Sequence, residues 1–194
     1  MNGQEPWIPA LEQLIDGNRR FVAGEAVHPH QNLERCREIS SGQNPVAVVL
    51  ACADSRVPPE VLFDQGLGDI FVVRVAGNVV GEFELASIEY AVEHLHTPLI
   101  MVLGHSSCGA ISAAVAGGEA PGSLPGLMAA LQPSVDEVVG KPGDHVNNAA
   151  RANARRVTRA LKTAQPVVAG AVDAGKVKVM AAYYDLANGK VEVL

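Results

Sequence analysis

The segment Val46-Ala47-Val48-Val49-Leu50-Ala51-Cys52-Ala53-Asp54-Ser55-Arg56 decides how this chain of 194 residues folds. An apolar, β-branched run ends abruptly in a polar loop, which is the pattern of a strand buried on both faces of a parallel sheet. The same pattern returns at Leu99–Leu103, which precedes His105-Ser106-Ser107-Cys108. Because the carboxyl ends of parallel strands meet at one edge of the sheet, we expect the two polar loops to lie together there.

Alternating strand and helix patterns surround these two segments. Strands are predicted at Val46–Ala51, Ile70–Val75, Leu99–Leu103 and Lys176–Tyr184, and helices at Pro58–Gln65, Glu82–His96, Gly109–Ala116 and Asn147–Gln165. Such alternation is typical of a parallel sheet covered by helices. The hairpin signal Asn188-Gly189 predicts that a last strand at Val191–Leu194 is antiparallel. The predicted fold is a three-layer α/β domain with four parallel strands and one antiparallel C-terminal strand.

Two segments lie outside this alternation. Residues 1–42 are predicted to form an N-terminal helical arm, in which the helix Pro9–Val22 has an apolar face that packs either on the chain's own core or on a partner subunit. Residues 117–143 are rich in Gly and Pro and predict a surface insertion with one helical turn around Leu127–Leu131. Residues 43–194 are the predicted α/β core, and we expect residues 1–194 to form a single domain.

Composition and charge exclude several classes of protein. The formal net charge is −6. The one basic cluster has helical spacing, which is typical of a solvated or interface-facing helix side rather than a nucleic-acid surface. It consists of Arg151, Arg155, Arg156 and Arg159. The sequence contains neither a secretory leader pattern nor an apolar run of membrane-spanning length, so we expect a cytoplasmic protein without nucleic-acid or membrane partners.

The two polar loops carry ligand types that zinc prefers, two thiols and an imidazole. The three cysteines are too few for a disulfide framework, and Cys36 reads as an ordinary helix residue. Cys52, His105 and Cys108 would supply three protein ligands and leave the fourth position to water or substrate. Zinc lowers the pKa of such a bound water and supplies hydroxide near neutral pH. Asp54 is an alternative fourth ligand, which would close the site.

Arg56 bears on which of these two states forms. Its guanidinium can clamp Asp54 with two parallel hydrogen bonds, so that Asp54 accepts a hydrogen bond from the zinc-bound hydroxide instead of binding the metal. Without the clamp, Asp54 could close the site, and the zinc would then join two loops without catalysing a reaction. A structural site has little use for the arginine, but both states stay open at this point.

The motifs in and around these loops resemble those of the β-class carbonic anhydrases. The similarity is carried by Cys52–Pro58 (CADSRVP), Gly68–Asn78 (GDIFVVRVAGN), Ser87–Val92 (SIEYAV) and Gly104–Ala110 (GHSSCGA), and it extends to Gly17–Phe21 and Gly42-Gln43. It covers most of the chain, apart from the chain ends and the insertion at 117–143. Together these motifs are specific to that family.

The resemblance implies reversible hydration of carbon dioxide to bicarbonate and a proton. It assigns one Zn²⁺ per chain to Cys52, His105 and Cys108. It also implies that Asp54 and Arg56 form the catalytic dyad.

The same resemblance implies a substrate pocket at a dimer interface. Gln43, Phe71 and Tyr90 correspond to pocket residues of the family, with Gln43 donating a hydrogen bond to bicarbonate. The backbone amide of Gly109 would face the substrate. The implied assembly is a homodimer at minimum, with tetramers in some members, in which N-terminal helices embrace the partner.

Two other functions stay open on the residues alone. The same fold and metal could hydrolyse carbonyl sulfide or carbon disulfide, because both are linear triatomic molecules open to the same attack. The chain could instead be a non-catalytic interaction module stabilised by zinc. Such a module, however, needs neither the Asp54–Arg56 pair nor the predicted pocket residues.

We predict that the rate of carbon dioxide hydration rises with pH into the alkaline range. Two thiolates donate more negative charge to zinc than three imidazoles do. The bound water should therefore be less acidic than in histidine-ligated sites, where its pKa is about 7. Stopped-flow rates measured across pH test this expectation. A profile that is already level and maximal below neutrality would contradict it.

Overall fold

A five-stranded sheet forms the centre of the computed structural model, which describes residues 5–194. Its strands are β1 (Ala47–Ala51), β2 (Ile70–Arg74), β3 (Leu99–His105), β4 (Lys178–Tyr184) and β5 (Val191–Val193). They lie in the order β2-β1-β3-β4-β5, with β1 to β4 parallel and β5 antiparallel to β4. The predicted mixed sheet is therefore confirmed, including its antiparallel last strand.

Helices cover both faces of this sheet. They are α1 (Ile8–Ala23), α2 (Leu33–Glu38), α3 (Pro59–Leu62), α4 (Glu82–Glu93), α5 (Gly109–Ala116), α6 (Leu124–Asp136), α7 (His145–Lys162) and α8 (Val167–Asp173), with a 3-10 turn at Ala76–Asn78. Val49 packs with α1 and α3 on one face, whereas Val48 and Leu50 pack with α4, α7 and α8 on the other. This alternation along a strand buried on both faces produces the three predicted layers. Within residues 5–194, no helix has the length and apolarity needed to cross a membrane.

A third apolar cluster lies where the polar loops follow β1 and β3. Ile111 from α5, Leu131 from α6 and Ala149 from α7 pack there with Cys52 and Cys108. The two thiols are therefore covered by helices. These helices therefore restrict the access of solvent molecules to the two sulfur atoms.

The N-terminal arm packs on the chain's own core. Leu14 is fully buried, and Ala10 packs beside it in the cluster that includes α3. At Gly17 the helix approaches the end of α3 so closely that a Cβ atom would lie 1.7 Å from the carbonyl oxygen of Phe63. The structure thus shows packing on the chain's own core, and packing of the same helix on a partner subunit stays a prediction.

Asn18 fastens this arm to two other segments. Its Nδ2 donates to the carbonyl oxygens of Leu62 (3.0 Å) and Gly189 (2.9 Å). Its Oδ1 accepts a hydrogen bond from the backbone N–H of Val191 at 2.9 Å. Because Asn18 is buried, it satisfies groups that solvent reaches poorly.

The insertion contains more regular structure than the sequence predicted. Helix α6 has 13 residues, where one turn at Leu127–Leu131 was predicted. Its apolar residues recur along one face and reach the third cluster, but Gly126 and Pro133 hide this periodicity in the sequence. Tertiary packing here outweighs low helix propensity. Helix α8, directly after Pro166, was also not predicted.

The basic side of α7 is partly packed rather than uniformly solvated. The Arg151 guanidinium lies over the Tyr183 ring, 3.8 Å from its centroid. Arg156 is partly buried and donates from Nε to the Ser134 hydroxyl at 2.9 Å. The other two arginines of the cluster are exposed, as predicted.

We predict that Asn18→Ala lowers the free energy of unfolding by about 1–3 kcal/mol, because it leaves buried backbone groups unpaired. Urea unfolding measures this change. Arg19→Ala is the matched control, since Arg19 is the next residue of α1 and is exposed; we expect a loss below about 0.5 kcal/mol there. Equal losses in the two variants would show that Asn18 does not fasten the arm.

Candidate metal centre

Adjacent strand ends bring three metal-binding side chains together. Strands β1 and β3 pair in parallel, with Ala51 opposite Leu103. Cys52 follows β1 directly, His105 ends β3, and Cys108 is the N-cap residue of α5. The ligand atoms of these three residues all lie within 4.8 Å of one another, and all three residues are buried. The predicted grouping of the three side chains is therefore found.

Hydrogen bonds favour a thiolate on Cys52. Its Sγ accepts hydrogen bonds from the backbone N–H groups of Asp54 (3.4 Å) and Gly77 (3.3 Å), and it lies 4.0 Å from the Sγ of Cys108. The hydrogen bond between the two sulfur groups lowers the pKa of Cys52 and raises that of Cys108, and burial further raises the pKa of Cys108. Cys52 therefore loses its proton more readily than Cys108, and metal binding by both sulfur atoms would displace the protons that they hold.

The His105 ring is oriented by a neighbouring backbone group. Its Nδ1 lies 2.9 Å from the carbonyl oxygen of Ser106, which can only accept, so Nδ1 is assigned the proton. Nε2 is left with a lone pair; it is buried and has no hydrogen-bond partner among residues 5–194. This lone pair is a buried acceptor without a partner, and it lies next to two thiols. A metal ion bound at this position would accept the lone pair.

The donor set fits zinc. Two sulfur atoms and one imidazole nitrogen are common zinc ligands, and two thiolates cancel the charge of Zn²⁺. In the part of the chain that the structure describes, the group contains three possible ligands. Zinc favours four ligands in a tetrahedron, so these three leave a fourth position for a small molecule.

Asp54 lies next to this cluster but is held by Arg56. Arg56 Nε donates to Oδ1 (2.9 Å) and Nη2 to Oδ2 (2.7 Å), and the Arg56 backbone N–H also donates to Oδ1 (2.9 Å). Nη2 further donates to the carbonyl oxygen of Ser107 at 3.2 Å, which links the two polar loops. The hydrogen bonds from Arg56 hold the pKa of Asp54 well below its usual range, so its carboxylate is ionised at neutral pH.

Arg74 braces the same loop, and the sequence analysis did not assign it to the site. It ends β2 opposite Ala51, and it donates from Nε to the carbonyl oxygen of Cys52 (3.0 Å) and from Nη2 to that of Asp54 (2.6 Å). Arg56 therefore fixes the Asp54 side chain and Arg74 fixes its backbone. The available signal was a single arginine that ends the apolar run of β2, at the sheet edge where the loops meet.

The four predicted substrate residues are not gathered around the cluster within one chain. Gly109 follows Cys108 at the start of α5. Gln43 and Tyr90 line a cavity of about 620 Å³, and Phe71 lies near Tyr90 with ring centroids 6.4 Å apart. In the described chain, none of the three metal-binding residues lines that cavity. A cavity of about 900 Å³ between α4 and α8 also contains none of them.

Known proteins share the sequence pattern of this chain. The family described as "Carbonic anhydrase" matches residues 47–191. The carbonic anhydrase of Mycolicibacterium smegmatis is 41% identical over 192 residues, which cover 96% of this chain and 92% of that protein. Carbonic anhydrase 2 of Mycobacterium tuberculosis is 54% identical over 119 residues, which cover 61% of this chain and 57% of that protein.

Solved structures share its fold. A tetrameric β-carbonic anhydrase of Sordaria macrospora superposes with a TM-score of 0.76 at 26% identity, covering 96% of this chain and 97% of that chain. The Coccomyxa β-carbonic anhydrase, solved with acetazolamide, superposes with a TM-score of 0.74 at 25% identity, covering 96% of this chain and 85% of that chain.

We predict that zinc raises the melting temperature of protein from which metal has first been removed with a chelator. A ligand that binds only the folded state raises the free energy of unfolding by about 2.7 kcal/mol when its free concentration is about 100 times its Kd. Scanning calorimetry measures the shift. Cys108→Ser should lose most of it, whereas Cys36→Ser, which changes an exposed thiol on α2, should retain it. Equal shifts in both variants would mean that zinc binds elsewhere.

Proposed function

Since this chain belongs to the β-class carbonic anhydrase family, we propose that it catalyses the reversible hydration of carbon dioxide to bicarbonate and a proton, with one zinc ion held by Cys52, His105 and Cys108. When bound, zinc supplies a nucleophile by lowering the pKa of water far below its value in bulk solvent. The observation that carries the proposal is that Asp54 is clamped by Arg56 beside an incomplete ligand set.

Asp54 is suited to orient the attacking oxygen. Its Oδ1 already accepts two hydrogen bonds from Arg56, whereas Oδ2 accepts one. A carboxylate oxygen accepts about two hydrogen bonds, so Oδ2 retains a free lone pair. Because Asp54 is ionised, it can accept a hydrogen bond from the nucleophile but cannot donate one. In this role it selects a nucleophile that carries a hydrogen, and it directs the nucleophile's lone pair to carbon dioxide.

Arg56 acts in the proposal by restraining Asp54. Two parallel hydrogen bonds to a carboxylate fix its plane as well as its position. The contact with Ser107 fixes the guanidinium itself, since Ser107 precedes the ligand Cys108. The Asp54 carboxylate is thereby kept available to the substrate and is kept from becoming a fourth ligand.

We propose that a second subunit completes the substrate pocket. Within one chain, Gln43 and Tyr90 line a cavity separate from the metal-binding residues. Strand β2 forms one edge of the sheet, and beside it Tyr90 and Phe83 are 48% and 80% exposed. Exposed aromatic side chains beside an open strand edge are typical of a surface that a partner covers. This supports a homodimer at minimum, in which carbon dioxide or bicarbonate meets Gln43, Phe71, Tyr90 and the Gly109 amide; a tetramer would pair two such dimers.

We also propose that the protein works in the cytoplasm. Cys36, Cys52 and Cys108 are all free thiols in the structure. A reducing compartment keeps such thiols available for zinc.

Stopped-flow carbon dioxide hydration, with zinc content determined on the same sample, tests the proposed function. We expect fast turnover that is lost on zinc removal and regained on zinc addition. One zinc per chain without turnover would contradict the proposal and would make carbonyl sulfide and carbon disulfide the next substrates to assay.

We predict that Arg56→Ala lowers turnover by at least about 100-fold, the cost of a misplaced catalytic group, while zinc stays bound. Arg37→Ala, which removes an exposed arginine of α2, is the matched control and should keep both turnover and zinc. Retained turnover in Arg56→Ala would contradict the clamp. Loss of zinc along with turnover would instead make Arg56 part of the metal-binding structure.

A further inference from the structure

A chain of buried hydrogen bonds leads from α7 to the sulfur of Cys52. Asn153 is fully buried, and its Nδ2 donates to the carbonyl oxygen of Gly77 at 2.8 Å. The N–H of Gly77 in turn donates to the Sγ of Cys52 at 3.3 Å. The side chain of one buried residue therefore holds the carbonyl group of the residue whose N–H contacts a metal-binding thiol.

The conformation of Gly77 transmits this restraint. Its φ is +69°, a left-handed value that favours glycine. A Cβ atom at this position would lie 3.1 Å from both Cδ atoms of Leu131 and 3.3 Å from the Cβ of Ala110. With its carbonyl oxygen held by Asn153 and its Cα enclosed by α5 and α6, the residue has little freedom to turn its N–H away from the sulfur.

Asn153 is itself oriented by α6. The Ser134 hydroxyl donates to Asn153 Oδ1 at 3.2 Å, and this fixes which end of the amide faces Gly77. Arg156 Nε donates to the same hydroxyl at 2.9 Å, and its Nη2 donates to the carbonyl oxygen of Ala130. A cation thus begins a series of donors that ends at the Gly77 carbonyl oxygen, and neighbouring hydrogen bonds in such a series strengthen one another. The Gly77 Cα separates this carbonyl from the N–H that faces the thiol, so the series acts on the thiol by fixing the conformation of Gly77.

We propose that Asn153 is a positioning residue for Cys52, acting through the Gly77 backbone, and that the insertion helix α6 is part of the support of the metal centre. The inference rests on the zinc site proposed above. An N–H hydrogen bond withdraws charge from a thiolate and fixes the direction of its lone pairs, so the network controls how strongly Cys52 donates to a metal. It gives the insertion a role beyond covering the sheet edge.

Cobalt(II) is the probe that distinguishes a positioning role of Asn153 from a role in the stability of the whole protein. The thiolate-to-cobalt charge-transfer absorption reports the donor strength of the sulfur. Asn153→Leu removes the hydrogen bond to Gly77, and Ser134→Ala removes the group that orients Asn153. Thr158→Val is the matched control: Thr158 is a buried polar residue of the same helix, and its hydroxyl has no hydrogen-bond partner in the described chain.

We expect Asn153→Leu to shift the charge-transfer band to longer wavelength, because less charge is withdrawn from the thiolate. We expect the same change to weaken cobalt and zinc binding by about 10- to 100-fold, because the sulfur is no longer held in place; this loss is typical of outer-shell partners. Ser134→Ala should shift the band in the same direction by less, and Thr158→Val should leave it unchanged. Affinities come from competition with a chromophoric chelator.

The inference is overturned if Asn153→Leu melts at a lower temperature while its band and its affinity match those of the unsubstituted protein. If Asn153→Leu does not fold, Ser134→Ala decides, and an unchanged band in that variant overturns the inference. Absence of any thiolate-to-cobalt band in the unsubstituted protein would overturn the zinc site itself, so failure of the proposed function is recognised separately.

Discussion

The parallel pairing of β1 with β3 is the constraint on which the metal centre depends. Ala51 lies opposite Leu103, so Cys52 and His105 leave the sheet at the same edge. Every residue of β1 and of β3 is buried, and successive side chains belong to cores on opposite faces. A slip by one residue would exchange those two sets, so packing on both faces fixes the register. A register shift that misplaced Cys52 or His105 would therefore also disrupt the packing on both faces of the sheet.

Around this rigid edge, the loop after β1 is restrained in three independent ways. Arg56 holds the Asp54 carboxylate, Arg74 holds the backbone carbonyl oxygens on either side of Ala53, and the Gly77 amide contacts the Cys52 sulfur. The two arginines contribute positive charge beside a carboxylate and two thiols. The loop therefore has a fixed shape and a local balance of charge that a bare turn of this length would lack.

The sequence predicted what depends on neighbouring residues and on strand ends. Strand ends at Cys52 and His105 follow from apolar runs, and the Asp54–Arg56 contact follows from their spacing. The contacts of Arg74 and Asn153 were not predicted, because these residues reach the site from distant elements, through pairing of β2 with β1 and through packing of α7. The length of helix α6 was underestimated for a related reason. Its stability comes from packing in the third apolar cluster, and local helix propensity contains no information about that packing.

The contacts of Asn18 also bear on the order in which the chain can be completed as it is synthesised. They join α1 to Gly189 and Val191, across 171 and 173 positions of sequence. Chains emerge from the ribosome with the N-terminus first, so the contact of Asn18 with Leu62 can form early, whereas its contacts with Gly189 and Val191 need nearly the entire polypeptide. Cys52, His105 and Cys108 have all been synthesised before that point. The ligand loops can therefore meet metal in a nascent chain whose two ends are not yet joined.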